Sequence, residues 1–203
     1  MTERLMNIAQ QPFDYQVLKC LLRDYRYPRN KISKWIRSGE IVALKSGLYV
    51  FSKRYNRPLS LKLVANLLYG PSYVSLDSAL AHWGLIPEHV FHLSSVSTGR
   101  KKIFETEIGT FTYQHLKPAY YSMAYQLQQI EDDPYLIATP EKALCDKLYL
   151  APRLRQSESL EQYLFEDLRI DYDRLHDLDT ALISDIAAAS GSHNLKILKE
   201  MLT

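Results

Sequence analysis

The spacing of apolar residues changes twice along this chain, and the changes restrict the fold to a mixture of helices and strands. Residues 76–83 place Leu, Ala, Leu and Trp at the spacing of one helix face. Residues 91–138 instead form short runs rich in β-branched and aromatic residues, and Phe111 and Tyr113 alternate there with polar neighbours. Helical signals return over 139–202. The pattern predicts an α+β fold, with helices packed on a small, mostly antiparallel sheet and further helices at the C-terminal end.

The N-terminal part carries the signals of a helix over residues 13–27, and a short helix over 3–10 is expected before it. Asp14 is a suitable N-cap, and Pro28 is expected to end the helix because its ring removes an N–H group. The helix shows one apolar stripe, formed by Val17, Leu18, Leu21 and Leu22.

A second helix and a hairpin follow. Residues 30–38 place three apolar side chains on one face as the expected core contact: Ile32, Trp35 and Ile36. Gly39 fits the C-terminal cap, and Ser46-Gly47 separates two short apolar runs over 41–51. This order is the minimal pattern of a winged helix-turn-helix module, whose second helix enters the major groove of DNA.

The opposite face of the second helix is polar and basic. At about 100° per residue, Asn30, Ser33, Lys34 and Arg37 lie away from the apolar stripe, with Lys31 at its edge. Residues 1–57 contain 12 Lys/Arg and 4 Asp/Glu, whereas residues 58–203 contain 13 and 19. A segment this basic is typical of a polyanion-binding module, although a solvated basic face without a partner has the same composition.

Residues 53–57, KRYNR, have the composition of a linker. They predict a boundary between a DNA-binding domain, residues 1–57, and an α+β domain, residues 58–203. In the second part, Ser60 precedes an apolar helix that Gly70-Pro71 ends, and Ser75 is expected to cap the next helix.

No pattern of an enzyme active site is present. The chain has seven glycines and neither a hydrolase elbow, a P-loop nor a dinucleotide fingerprint. Glu105 and Glu107 would share one strand face without a cationic partner, and Glu141 and Lys142 are explained by the first turn of a helix that begins after Thr139. We therefore expect no catalytic activity.

Cofactor, metal and membrane signals are also missing from the sequence. Cys20 and Cys145 lie in apolar helical contexts, which favours reduced thiols in the core and a cytoplasmic protein. His89 and His92 are three residues apart but have no further ligand near them, so no metal site is expected. No apolar run approaches the roughly 20 residues of a membrane-spanning helix, and no signal peptide is recognisable.

A basic triplet, Arg100-Lys101-Lys102, follows Gly99 in an otherwise acidic part of the chain. The pattern predicts the tip of a hairpin in the larger sheet. Such a triplet contacts phosphates or an acidic partner, or serves only as a solubilising turn, and the sequence leaves both interpretations open.

Five strings in this order resemble the AbiEi family, the antitoxins and transcriptional regulators of type IV toxin–antitoxin systems. The strings are GLYVFS, VANLLYG, PSYVSLDSALAHWGLIPE, SVSTGRKKIFETEIGTFTY and IATPEKALCDKLYL, and the resemblance covers about residues 13–150. The resemblance implies that the winged helix represses the protein's own operon by binding promoter repeats in double-stranded DNA. It also implies that the larger domain counters a cognate nucleotidyltransferase-like toxin in phage defence.

The positions matched by the resemblance are the second helix with the wing (29–47), the SYVSLDSAL helix, the GRKK turn and the PEKALCD helix. In this interpretation Lys34 and Arg37 enter the major groove, with Asn30 and Ser33 beside them. The residues expected at phosphates are Arg29, Lys31 and Lys45, with Ser46 in the wing, and the GRKK turn supplies Arg100, Lys101 and Lys102.

Other functions fit the same residues. A protein-interaction module would dock its basic helix on an acidic protein, and a plain regulator would bind DNA without a toxin partner. An enzyme acting on nucleic acid would need a metal-dependent activity.

Overall fold

The computed structural model describes residues 3–8, 11–87, 91–130 and 133–202, and it shows a mixed α and β protein with one sheet of three strands and one of six. The N-terminal elements are α1 (Glu3–Met6), β1 (Phe13–Asp14), α2 (Tyr15–Leu21), α3 (Pro28–Arg37), β2 (Ile41–Lys45) and β3 (Leu48–Phe51). Strands β2 and β3 form an antiparallel hairpin, and β1 pairs with β3 on its other side.

The first predicted helix is shorter than expected. The Asp14 carboxylate accepts a hydrogen bond from the Val17 N–H at 2.9 Å, so the predicted cap is confirmed, but α2 ends at Leu21. Pro28 does not end this helix; it is the first residue of α3, because the fixed φ of proline suits the first turn of a helix. Val17 is 40% exposed, so its place in the predicted apolar stripe is wrong.

Helix α3 and the hairpin follow the predicted order. Ile32 and Trp35 are buried, whereas Ile36 is 37% exposed, so the prediction that it is core is wrong. Trp35 lies about 60° to one side of Ile32 and Ile36 about 40° to the other, which moves Ile36 to the edge of the buried face. Gly47, with a φ of +85°, provides the hairpin turn that the sequence predicted.

The second part of the chain builds the larger sheet. Its elements are α4 (Leu61–Leu68), β4 (Ser72–Val74), α5 (Leu76–His82), β5 (His92–Ser97), β6 (Lys102–Thr106), β7 (Gly109–His115), α6 (Pro118–Tyr121), β8 (Tyr125–Ile130), β9 (Asp133–Ala138) and α7 (Pro140–Leu150). Helical segments follow it: α8 (Ser157–Gln162), a π-helical turn (Tyr163–Asp167), α9 (Tyr172–His176), α10 (Thr180–Ser190) and α11 (His193–Leu202).

The strands of this sheet lie in the order β6-β7-β5-β4-β9-β8. The pairs β5–β7 and β4–β9 are parallel, and the other three pairs are antiparallel. The sheet is therefore more mixed than predicted. Phe111 and Tyr113 in β7 are both fully buried on one face, as their alternation predicted.

The helix starts in this part agree with the sequence. The Ser60 hydroxyl accepts from the Leu63 N–H at 3.2 Å, and the Thr139 hydroxyl accepts from the Lys142 N–H at 3.2 Å. Ser75 occupies the cap position of α5 as predicted, but its hydroxyl donates to Asp146 Oδ2 at 2.7 Å and makes no capping bond.

A fully buried ion pair joins α7 to the sheet. Lys142 Nζ lies 2.7 Å from Asp146 Oδ1 and also donates to the Tyr120 carbonyl at 3.0 Å. The Tyr73 and Ser75 hydroxyls donate to Asp146 Oδ2. Burial lowers the pKa of Lys142 and raises that of Asp146, but four hydrogen bonds compensate the two groups.

In the part of the chain that the structure describes, the buried apolar residues form two clusters that meet at the β2–β3 hairpin. Tyr49 and Phe51 belong to the smaller N-terminal cluster, together with Trp35. Three other hairpin residues belong to the larger cluster: Leu44, Leu48 and Val50. The hairpin therefore packs on both parts of the chain, through its two faces.

Candidate nucleic-acid interface

Three stripes of side chains cover the solvent side of α3. One stripe, Arg29, Ser33 and Ile36, lines a groove of about 560 Å³ between α3 and the hairpin turn. The other lining residues are Tyr15, Ile32, Ser46, Gly47 and Tyr49. We call this feature the hairpin groove. Two tyrosines line the groove, and it lies between the basic helix α3 and the polar turn of the hairpin.

The second stripe points furthest from the core. We call it the crown of α3; it consists of Asn30, Lys34 and Arg37, all exposed. Arg37 Nε donates to the Ser33 carbonyl at 3.3 Å, which leaves the far end of the guanidinium at the surface. Among the described residues no carboxylate pairs with Lys34 or Arg37. Both cations also favour the C-terminal end of a helix dipole, so their position has an ordinary structural explanation as well.

The third stripe is the flank beside Trp35. Lys31 is half-buried there, and its Nζ lies 5.4 Å from the centre of the Trp35 ring. Lys31 therefore faces away from the hairpin groove. The structure places this predicted phosphate ligand on the opposite side of α3 from Arg29.

Lys45, at the end of β2, contacts the other part of the protein. Its Nζ donates to the Leu67 and Leu68 carbonyls at 2.7 and 2.9 Å, at the C-terminal end of α4. Partial burial lowers the pKa of Lys45, and the nearby charge of Lys102 lowers it further. The ammonium group of this predicted phosphate ligand is thus already bound to two carbonyls.

The basic triplet lies close to the same corner. Residues 98–101 connect β5 to β6, and β7 lies between these two strands, so the connection crosses over a strand and the predicted hairpin tip is wrong. Arg100, Lys101 and Lys102 are all exposed, and Lys102 Nζ lies 4.7 Å from the Phe104 ring centre and 5.2 Å from that of Tyr69. A side chain at Gly99 would overlap the Tyr69 hydroxyl, which explains the glycine before the triplet.

Several N-terminal cations are paired within the protein. Arg54 binds the Glu40 carboxylate, which also accepts from the Tyr55 hydroxyl, and these bonds lower the pKa of Glu40. Arg57 donates to the Met6 carbonyl at 3.0 Å and lies 4.5 Å from the Phe51 ring centre. The segment predicted as a linker contains a 3-10 turn, Lys53–Tyr55, and the contacts of Arg54 and Arg57 hold it to the N-terminal elements.

The charge surplus of residues 1–57 thus overstates the charge available to a polyanion. The cations of α3 have no carboxylate partner among the described residues, whereas Arg54 is paired with Glu40 and Arg57 is bound to a backbone carbonyl. Sequence reasoning missed Tyr15 and Tyr49 in the hairpin groove, since their meeting depends on the pairing of β1 with β3.

Within the described ranges no group of three or more His, Cys, Asp or Glu residues could hold a metal ion, and His89 lies outside those ranges. Glu105 and Glu107 are exposed at the β6–β7 end of the sheet. Cys145 is buried as predicted, but Cys20 is exposed, so the prediction that it is a core thiol is wrong. No helix in the part of the chain that the structure describes is long and apolar enough to cross a membrane.

The chain was also compared with known proteins, and it matches no model of a protein family and no curated protein at a significant level.

Proposed function

We propose that this protein is a DNA-binding transcriptional regulator whose N-terminal module is a winged helix-turn-helix. One observation carries the proposal: the basic, carboxylate-free α3 lies beside the turn of a hairpin, after a short strand and a helix. This order of elements is the one in which a recognition helix and a wing approach a duplex together.

The crown of α3 is the base-reading surface in this proposal. An arginine can bind guanine and an asparagine can bind adenine through two hydrogen bonds each, so Arg37 and Asn30 are suited to the major groove. Each such contact contributes about 1–3 kcal/mol of discrimination. The phosphates follow the two flanks, where Arg29 and Ser46 line the hairpin groove and Lys31 lies opposite.

The 98–102 corner extends this surface along the duplex. Arg100 and Lys101 are exposed beside Lys102, whose charge is close enough to Lys45 to lower its pKa. We assign Arg100 and Lys101 to phosphate contact. Lys45 has a positioning role in the free protein, because it holds the hairpin against α4.

Binding to a duplex from the region upstream of the protein's own gene tests the proposal. Lys34→Ala/Arg37→Ala should lose sequence-specific affinity by roughly 10-fold or more, from at least one lost base contact. Arg153→Ala/Arg155→Ala is the matched control, since it removes two exposed arginines far along the chain. Arg100→Ala should reduce the slope of log K against log salt by about 0.9, with little change in sequence preference. Equal binding by the crown variant and the wild type would refute this assignment.

We also propose that the protein acts as the antitoxin of a type IV system. This step rests on the five ordered strings that resemble the AbiEi family. Co-expression with the product of a neighbouring nucleotidyltransferase-like gene tests it, and the wild type should restore growth. The crown variant should restore growth as well, because DNA binding and toxin neutralisation use different parts of the chain. Failure to restore growth, with promoter binding intact, would leave a plain regulator.

A further inference from the structure

The two edges of the six-stranded sheet differ in charge. At one edge, β6 carries Lys102 and Glu105, and Lys101 and Glu107 flank it. At the other edge, β8 has the sequence Tyr-Gln-Leu-Gln-Gln-Ile without a charged side chain. Proteins commonly protect an edge strand with charges, because its free backbone groups otherwise pair with another chain. Within the two edge strands themselves, charged side chains occur on β6 and not on β8.

The hydrogen bonds to β9 show which residues of β8 point their backbone N–H and C=O groups outward, away from the sheet. The Thr139 N–H donates to the Ala124 carbonyl at 3.0 Å, so residue 124 points its backbone groups toward β9. Direction alternates along a strand, so residues 126 and 128 also point toward β9, and Tyr125 and Leu127 point away from it. Pro134 agrees with this pattern. It lies opposite residue 129, at a position where the backbone of β9 donates no N–H to β8, so a proline is tolerated there.

The side chains of β8 are uneven in exposure. Leu127 is 66% exposed in the middle of the strand, whereas Gln126 and Gln128 are half-buried on the other face. Leu127 thus lies in water on an edge strand that carries no charge to prevent pairing with another strand. Its burial requires an apolar group brought alongside the strand.

We propose that β8 pairs with β8 of a second copy of this chain, antiparallel and across a two-fold axis. An axis perpendicular to the sheet and midway between the two Leu127 residues keeps every side chain on its own face and places Leu127 opposite Leu127 of the partner subunit. Gln126 then lies opposite Gln128 of the partner subunit, where two amides can exchange hydrogen bonds. The outward N–H and C=O groups of Leu127 form the central pair of the ladder.

A second copy suits this edge better than a charged peptide does. An isologous contact presents the same surface on both sides, and an uncharged strand has no like charges to bring together. By contrast, if β6 paired with β6 of a second copy, its charges would favour the pair only in a register that placed Lys102 near Glu105. One strand pair is smaller than a standard interface, so the dimer forms in a concentration-dependent equilibrium.

Sedimentation velocity over a range of concentrations tests the proposal. The wild type should move from the monomer toward the dimer mass as concentration rises. Leu127→Lys should weaken association by about tenfold or more, because it places like charges directly opposite each other. Ile103→Lys on β6 is the matched control, since Ile103 is also largely exposed, and it should associate as the wild type does. A wild type that stays monomeric, or an equal loss in both variants, would overturn the proposal.

Cross-linking tests the register independently. In a Cys20→Ser background, which removes an exposed thiol, Leu127→Cys should oxidise to a disulfide-linked dimer. The Cα atoms of a directly opposed, hydrogen-bonded antiparallel pair are about 5.5 Å apart, within the range a disulfide spans. Ile103→Cys in the same background should remain mostly monomeric. Equal dimer yields from the two variants would contradict pairing through β8.

The dimer does not depend on the proposed DNA binding. Where both hold, two modules related by a two-fold axis would bind inverted half-sites. A monomeric protein that still binds its promoter would therefore refute the dimer alone.

Discussion

Removal of one partner from the buried Lys142–Asp146 pair should destabilise the protein strongly. Lys142→Met leaves the Asp146 carboxylate buried with only the Tyr73 and Ser75 hydroxyls as donors. A buried pair broken on one side costs about 3–5 kcal/mol, because an uncompensated charge stays in the interior. For a chain of 203 residues this corresponds to a fall in Tm of roughly 6–20 °C.

Lys147→Met on the same helix is the matched control. Lys147 Nζ lies 2.6 Å from Asp77 Oδ1, but this pair is partly exposed, with side chains 23% and 39% accessible. Partly exposed pairs contribute about 0–1 kcal/mol, so the same substitution should have a small effect there. Urea unfolding followed by far-UV circular dichroism measures both.

The single variant Asp146→Asn and the double variant Lys142→Met/Asp146→Asn complete a double-mutant cycle. The important member is the double variant. It removes both charges and keeps an amide oxygen that can accept from Tyr73 and Ser75. We expect it to be more stable than Lys142→Met, with a coupling free energy of about 1–3 kcal/mol. Additive effects, or a cost for Lys142→Met as small as that for Lys147→Met, would refute the reasoning that a charged, mutually compensated pair holds α7 to the sheet.

Three further variants test the N-terminal module and its contact with the larger sheet. Trp35→Ala should cost about 3–5 kcal/mol in urea unfolding, since the side chain is 4% exposed, and a loss below about 1 kcal/mol would contradict its place in the core. Ile36→Ala should cost less than about 1 kcal/mol because Ile36 is 37% exposed, and a cost equal to that of Trp35→Ala would show that the stripe is buried as a unit. Gly99→Ala should lower the Tm because its Cβ would overlap the Tyr69 hydroxyl, and Gly99→Ala/Tyr69→Phe should recover part of the loss; no recovery would place the strain elsewhere.

Local signals predicted the starts of the helices well. Asp14, Ser60 and Thr139 each cap a helix through a side-chain oxygen, and each is recognisable from the residues next to it. The exception is Pro28, because a proline can precede or begin a helix and the choice depends on how residues 22–27 turn.

Nonlocal contacts account for what the sequence did not reveal. The parallel pairing of β5 with β7 brings together strands that are separated by β6, and no short pattern encodes such a crossover. The same holds for the cations of the candidate interface. Lys45 and Arg29 were both predicted to contact phosphates. The ammonium group of Lys45 is instead bound at the end of α4, 22 residues further along the chain, and no local pattern predicts this contact.

The two-sided hairpin limits how this protein can be divided. The hairpin gives one face to each buried cluster, so residues 1–57 made as a separate fragment would expose Leu44, Leu48 and Val50 to water. Such a fragment would be prone to aggregate, and a replacement module would need the same apolar side chains on its outer hairpin face. Substitutions on that hairpin face and in the larger cluster that packs on it are therefore expected to evolve together. The N-terminal module and the rest of the chain would then be inherited as one unit and seldom exchanged.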